Sequence, residues 1–117
     1  MAITEVFAGI PIRDYAAAVV WYERLMGRPP DMVPNDNEAA WQLTDTGWIY
    51  LVGDPDRSGN GLLTVLVDDL ETHVAGVESR GLAIGAIETV SGVVKTAAIT
   101  DPDGNRITFG APLGDTP

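Results

Sequence analysis

Apolar and polar residues along this chain settle into two rhythms, one of period two and one of three to four, and the order of the rhythms occurs twice. From Glu5 to Ile12 the residues are largely β-branched or apolar and predict a strand. Asp14 follows, placed to cap a helix predicted from about Tyr15 to Met26, with Gly27 as its stop. Along that helix Val19, Tyr22 and Met26 share one stripe, widened by Ala18 and Leu25, so one side is suited to burial. Three short strands come next, Asp31 to Val33, Ala39 to Leu43 and Trp48 to Val52, separated by the turn-forming runs Pro34-Asn35-Asp36-Asn37 and Asp45-Thr46-Gly47. Period-two alternation puts Trp48 and Tyr50 on one face of their strand, and Ile49 and Leu51 on the other.

The same order then returns. Ile10-Pro11-Ile12-Arg13-Asp14-Tyr15 matches Val65-Leu66-Val67-Asp68-Asp69-Leu70 at an offset of 55 residues: apolar, any, apolar, charged, Asp, large apolar. A strand from Leu62 to Val67 leads into a helix from about Leu70 to Ser79, capped by Asp68 or Asp69, stopped by Gly81 and buried along Leu70, Val74 and Val77. Three strands complete the copy, Ile84 to Val90, Val93 to Thr100 and Asn105 to Phe109, with turns at Ser91-Gly92 and Asp101-Pro102-Asp103-Gly104. In the second of those turns Pro102 fixes φ and Gly104 is expected at positive φ.

The chain therefore reads as one α+β domain, residues 1–117, of two βαβββ modules: module one about 1–52, a polar linker about 53–60, module two about 61–112 and a short tail, 113–117. A half of this size buries too little surface to be stable alone. The two are expected to pack on each other or on those of a second chain.

Composition narrows the chemistry. Seventeen acidic and seven basic residues give a net charge of −10, which repels nucleic acid and anionic lipid and favours cationic ligands. No apolar run is long enough to cross a bilayer, and Met1 to Pro11 lacks a signal peptide's features, so a cytoplasmic location is expected. There is no cysteine, which removes disulfides, thiolate nucleophiles and sulfur-bound metals. The single histidine, His73, sits near polar Thr72 and Gly76 on the second helix and is expected at the solvated surface.

Three features carry a family resemblance: the segment Asp14 to Gly27, with Trp21-Tyr22 paired on its helix, the turn Asp101-Pro102-Asp103-Gly104-Asn105 before the last strand, and the duplicated βαβββ order. Together they resemble the vicinal-oxygen-chelate superfamily, which includes glyoxalases, bleomycin-resistance proteins and extradiol dioxygenases, and they cover nearly the whole chain. The resemblance implies a curled mixed sheet around a cavity. In that family the cavity usually holds a divalent metal on four His, Glu or Gln side chains, one on the first and one on the last strand of each module.

Matched to that pattern, the four positions fall on Phe7, Tyr50, Leu62 and Thr108, none of them a usual metal ligand. No metal and no cofactor are expected. The resemblance then lies closest to the metal-free bleomycin-resistance type, homodimers that hold a drug in grooves between subunits. The implied function is sequestration of an antibiotic or other apolar or cationic small molecule, in a homodimer whose modules either pair within a chain or exchange between chains. Phe7, Trp41, Trp48, Tyr50, Leu62 and Thr108 are the candidate ligand contacts, with Glu88 and Lys95 as polar groups at the rim. The alternative is a metal-independent lyase, isomerase or biosynthetic enzyme of the same fold, with Glu88, Glu38 or Tyr50 as acid or base.

Overall fold

A computed structural model describes residues 2–113. The chain runs β1 (Val6–Ile12), α1 (Tyr15–Met26), β2 (Met32–Asn35), β3 (Glu38–Gln42), β4 (Gly47–Gly53), β5 (Leu62–Leu66), α2 (Leu70–Ser79), β6 (Glu88–Val90), β7 (Val94–Thr100) and β8 (Arg106–Pro112). Two four-stranded mixed sheets result, in the orders β1-β4-β3-β2 and β5-β8-β7-β6. In each, the first strand pairs in parallel with the last, Phe7 beside Trp48 and Leu62 beside Arg106.

Both helices begin and end as their residues require. The Asp14 carboxylate accepts from the Ala17 amide at 3.2 Å, and Gly27, at φ 77°, closes α1 by donating to the Glu23 carbonyl. Between Asp68 and Asp69 the cap of α2 is Asp69, which accepts from the Thr72 amide at 3.1 Å.

Strand edges moved where ladder bonds are missing. Pro34 has no N–H to give, so β2 pairs irregularly with β3, matching Met32 to Ala40 and Asn35 to Glu38 across a register shift. The run from Ile84 touches β7 through one bond, Gly85 N–H to the Ala98 carbonyl at 2.8 Å, and becomes a strand only at Glu88. β8 continues past Phe109 to Pro112 because β7 keeps pairing with it as far as Val94.

Each helix covers one face of its own sheet and leaves the other face open. Ile10, Ile12, Ile49, Leu51 and Trp41 turn towards the helix side in module one, and Ala97, Ile99, Ile107 and Phe109 do so in module two. These residues, with Ala18, Tyr22 and Leu25 of α1 and Leu70 and Val77 of α2, form one continuous core spanning both modules.

Polar ties reinforce the junction. The Tyr22 hydroxyl donates to the buried Asp101 carboxylate at 2.7 Å, Asn105 Nδ2 donates to the Pro11 carbonyl at 2.8 Å, and the Arg80 guanidinium on α2 donates to the Arg24 and Leu25 carbonyls at the end of α1. The chain is extended for its length, with a radius of gyration of 14.8 Å where a sphere-like domain of this size has about 13 Å. Among the described residues no helix is long and apolar enough to cross a membrane.

Candidate functional site

The open face of the first sheet carries the candidate site. Strand alternation turns Phe7 and Gly9 of β1, Trp48 and Tyr50 of β4, and Glu38 and Ala40 of β3 to that face, opposite the buried Ile49 and Leu51. Phe7 stacks on its cross-strand neighbour Trp48 with ring centroids 5.2 Å apart and planes 17° from parallel. The Trp48 indole N–H donates to Glu5 Oε1 at 3.0 Å, which fixes the outer edge of the stack. Tyr50 lies across β1 in the space left by a missing side chain, since a Cβ on Gly9 would come within 2.8 Å of its ring.

Beside these rings lies a pocket of about 220 Å³ lined by Phe7, Met32, Pro34, Glu38, Ala40 and Tyr50. Glu38 is the ionisable carboxylate among them. It accepts from Asn35 Nδ2 at 2.9 Å, and its backbone carbonyl accepts from the Tyr15 hydroxyl at 3.1 Å, which anchors β3 to α1. Burial first, and the charge of Asp36 second, hold the Tyr15 phenol above its usual range, so it serves as a donor.

In the second module the open face presents Leu62 and Leu66 of β5, Thr108 of β8 between Thr64 and Ala98, and Glu88 on β6 opposite Thr96. Leu62 is 84% exposed and Leu66 70% exposed. Within one chain Phe7 and Tyr50 meet in one pocket, whereas Leu62 and Thr108 belong to the other sheet and do not line it.

Three expected placements are corrected. Trp41 is fully buried on the helix side, 6.3 Å from the Tyr22 ring, with its indole N–H given to the Arg28 carbonyl at 3.0 Å, and so is a core residue. Lys95 shares the helix side of β7 with Ala97 and Ile99, and its ammonium is held by the Glu71 carboxylate at 2.7 and 2.9 Å. His73 is half-buried rather than freely solvated: its ring sits 4.2 Å from Phe109, and its Nε2 is shielded from solvent and has no protein partner among the described residues. Burial first, then the Arg80 charge, hold the imidazole below the usual histidine range.

The expected metal-ligand positions do not fit a divalent ion. Phe7 and Leu62 have no lone pair to offer, and Tyr50 and Thr108 bring only hydroxyls. The two pairs are equivalent in register, since Tyr50 sits beside Gly9 as Thr108 sits beside Thr64, each two residues beyond the first-strand position. Among the described residues no three His, Cys, Asp or Glu side chains gather in a way that could hold a metal elsewhere.

Met32, Pro34 and Ala40 line the pocket and carried no sequence signal, since two of them are on the irregular strand β2. Glu38 was visible only as a possible acid or base. Gly9 was the missed clue: a glycine inside a strand marks a close approach, here by the Tyr50 ring.

Two four-stranded sheets, each backed by one helix and joined as duplicated βαβββ units, define the architecture shared by glyoxalases and bleomycin-resistance proteins. The chain belongs to the Glyoxalase/Bleomycin resistance protein/Dioxygenase superfamily, whose sequence pattern matches residues 4–109. A glyoxalase/bleomycin resistance protein from Catenulispora acidiphila DSM 44928 is similar at 36% identity and a TM-score of 0.86, over 92% of this chain and 96% of that one. TnmS3, an antibiotic binding protein from Streptomyces sp. CB03234, is similar at 26% identity and a TM-score of 0.77, over 96% and 98%. A bleomycin-binding protein solved with bleomycin shares the fold at 22% identity and a TM-score of 0.71, over 95% and 98%. No protein of curated function matches the chain significantly.

Proposed function

We propose that this protein binds an apolar, cationic small molecule without a metal and holds it unchanged, in a cavity completed by a second copy of the chain. The observation that carries the reading is the open-face pocket of the first sheet, where Phe7 and Tyr50 supply aromatic faces and Glu38 a carboxylate. Aromatic faces attract a cation by about 0.5–2 kcal/mol each, and a carboxylate beside them selects its charge. The net charge of −10 draws such a ligand from a distance. Antibiotic binding by TnmS3 and bleomycin binding by the protein solved with that drug lend the same direction.

The second copy enters because the pocket has only one wall. Ligand sites enclose most of their ligand's surface, whereas Phe7 here is 45% exposed and Leu62 84%. In our reading the open face of module two from a partner chain closes over module one, bringing Leu62, Thr108 and Glu88 to the ligand. Two functions share this geometry, since Glu38 and Tyr50 could also move a proton in a lyase or isomerase.

Thermal-shift and tryptophan-fluorescence titrations with cationic polycyclic antibiotics test the reading. A raised melting temperature, quenched Trp48 emission and recovery of intact compound by mass spectrometry are expected. Appearance of a chemically altered product would move the protein to the enzyme reading. Glu38→Gln is expected to weaken cationic ligands by about tenfold while sparing neutral analogues.

A further inference from the structure

A different cavity lies where the modules meet. At that junction a cleft of about 260 Å³ opens between Met26, Arg28 and Leu43 of module one and Val65, Leu66, His73 and Phe109 of module two. It shares no lining residue with the open-face pocket. Its volume lies just below the roughly 300–1,000 Å³ usual for drug-sized ligands, so it suits a smaller molecule.

Its walls divide by chemistry. Met26, Leu43, Val65 and Phe109 make one apolar surface. Arg28 is the polar end: its Nη2 reaches Asp31 Oδ2 at 3.0 Å and the Gln42 carbonyl, which leaves Nε and Nη1 to donate elsewhere. Arg24 and Arg80 stand with Arg28 around the adjoining depression, together with Glu23, so three of the chain's seven basic residues gather at this end of an acidic molecule. His73 lines the cleft with its ring against Phe109, and its shielded Nε2 has no protein partner among the described residues.

We propose that this inter-module cleft is a second ligand site, taking a small carboxylic acid whose carboxylate meets Arg28 and whose short apolar tail lies against Leu43, Val65 and Phe109. A planar carboxylate matches the guanidinium's donor geometry, and the clustered arginines favour an anionic head over a neutral one. Because the cleft is built from both modules, a bound acid ties them together and raises the stability of the pair.

The test uses the intact protein with hexanoate and benzoate as probes, and hexanol and benzyl alcohol as neutral counterparts. His73 is the single histidine of the chain, so its imidazole proton resonances report on the cleft without assignment work. Both carboxylates should move those resonances saturably and raise the melting temperature by at least about 2 °C, the alcohols by much less. Arg28→Met is expected to weaken the carboxylates by about tenfold, and Leu43→Phe, which fills the cleft from its wall, to abolish the response. Tyr50→Ala, which strips the open-face pocket, should leave the response intact. Imidazole signals unmoved at about 10 mM carboxylate, equal binding by Arg28→Met, or loss of binding in Tyr50→Ala would each overturn the proposal. None of these results bears on whether the open face binds a cationic ligand.

Discussion

Tyr22 shows how a single atom can join two modules. Its hydroxyl is buried against Asp101, and burial first, then that hydrogen bond, push the phenol far above its usual range, so it stays a donor. Tyr22→Phe removes one donor from a buried carboxylate that also takes Asn105 Nδ2 and two backbone amides. A loss of about 1–3 kcal/mol is expected in urea denaturation. His73 makes a pH-dependent contribution of definite sign. Its folded pKa lies below the ordinary 6.5, so the native chain binds this proton less readily than the unfolded chain. The associated stability is complete above pH 6.5 and is lost as pH falls from there towards the folded value. His73→Phe should flatten the slope of melting temperature against pH in that window, and an unchanged slope would show that other groups set it. Gly9→Ala is a third residue-scale case: the methyl displaces the flexible end of Tyr50, so ligand affinity should change more than stability when calorimetry measures both.

At the scale of elements, caps and turns were the most legible parts. Asp14→Ala should cost about 1 kcal/mol of stability by denaturant titration, since the first-turn amide of Ala17 loses its acceptor. Gly27 and Gly104 are both at positive φ, as their places after a helix and in a tight turn required. Both helices carry the bounds the periodicity predicts, because spacing, cap and stop agree along each. Strand faces were harder. Ile49 and Leu51 alternate cleanly with Trp48 and Tyr50, and that face assignment holds. Ala39, Ala40 and Trp41 are apolar in a row and all buried, so nothing in the run tells which way Trp41 points. Lys95 and His73 show a second limit. Each pairs with a partner remote in sequence, Glu71 for one and Phe109 for the other, and only the folded chain brings those together. Asp101 adds a third: it reads as a turn residue, and it is also the buried acceptor that ties α1 to module two.

At the scale of the whole molecule, the two open faces set the expectation for assembly. Phe7, Leu62 and Leu66 stand on them as exposed apolar side chains, more than a lone chain would leave in water without purpose. Sedimentation should give a dimer mass, and Leu66→Asp should shift it towards the monomer while ligand binding falls in parallel. A monomer that still binds as tightly would show that one chain holds the whole cavity.

The assignment of the two sides of each sheet has a consequence for how such a protein changes over time. Every residue of the shared core faces inward, under the helices, while Phe7, Trp48 and Thr108 face away from it. Substitutions on the outward side therefore leave the packing of the core undisturbed, and the inward side can stay fixed while they accumulate. A lineage built this way can exchange one guest molecule for another by drift on a single surface, without passing through an unfolded intermediate sequence.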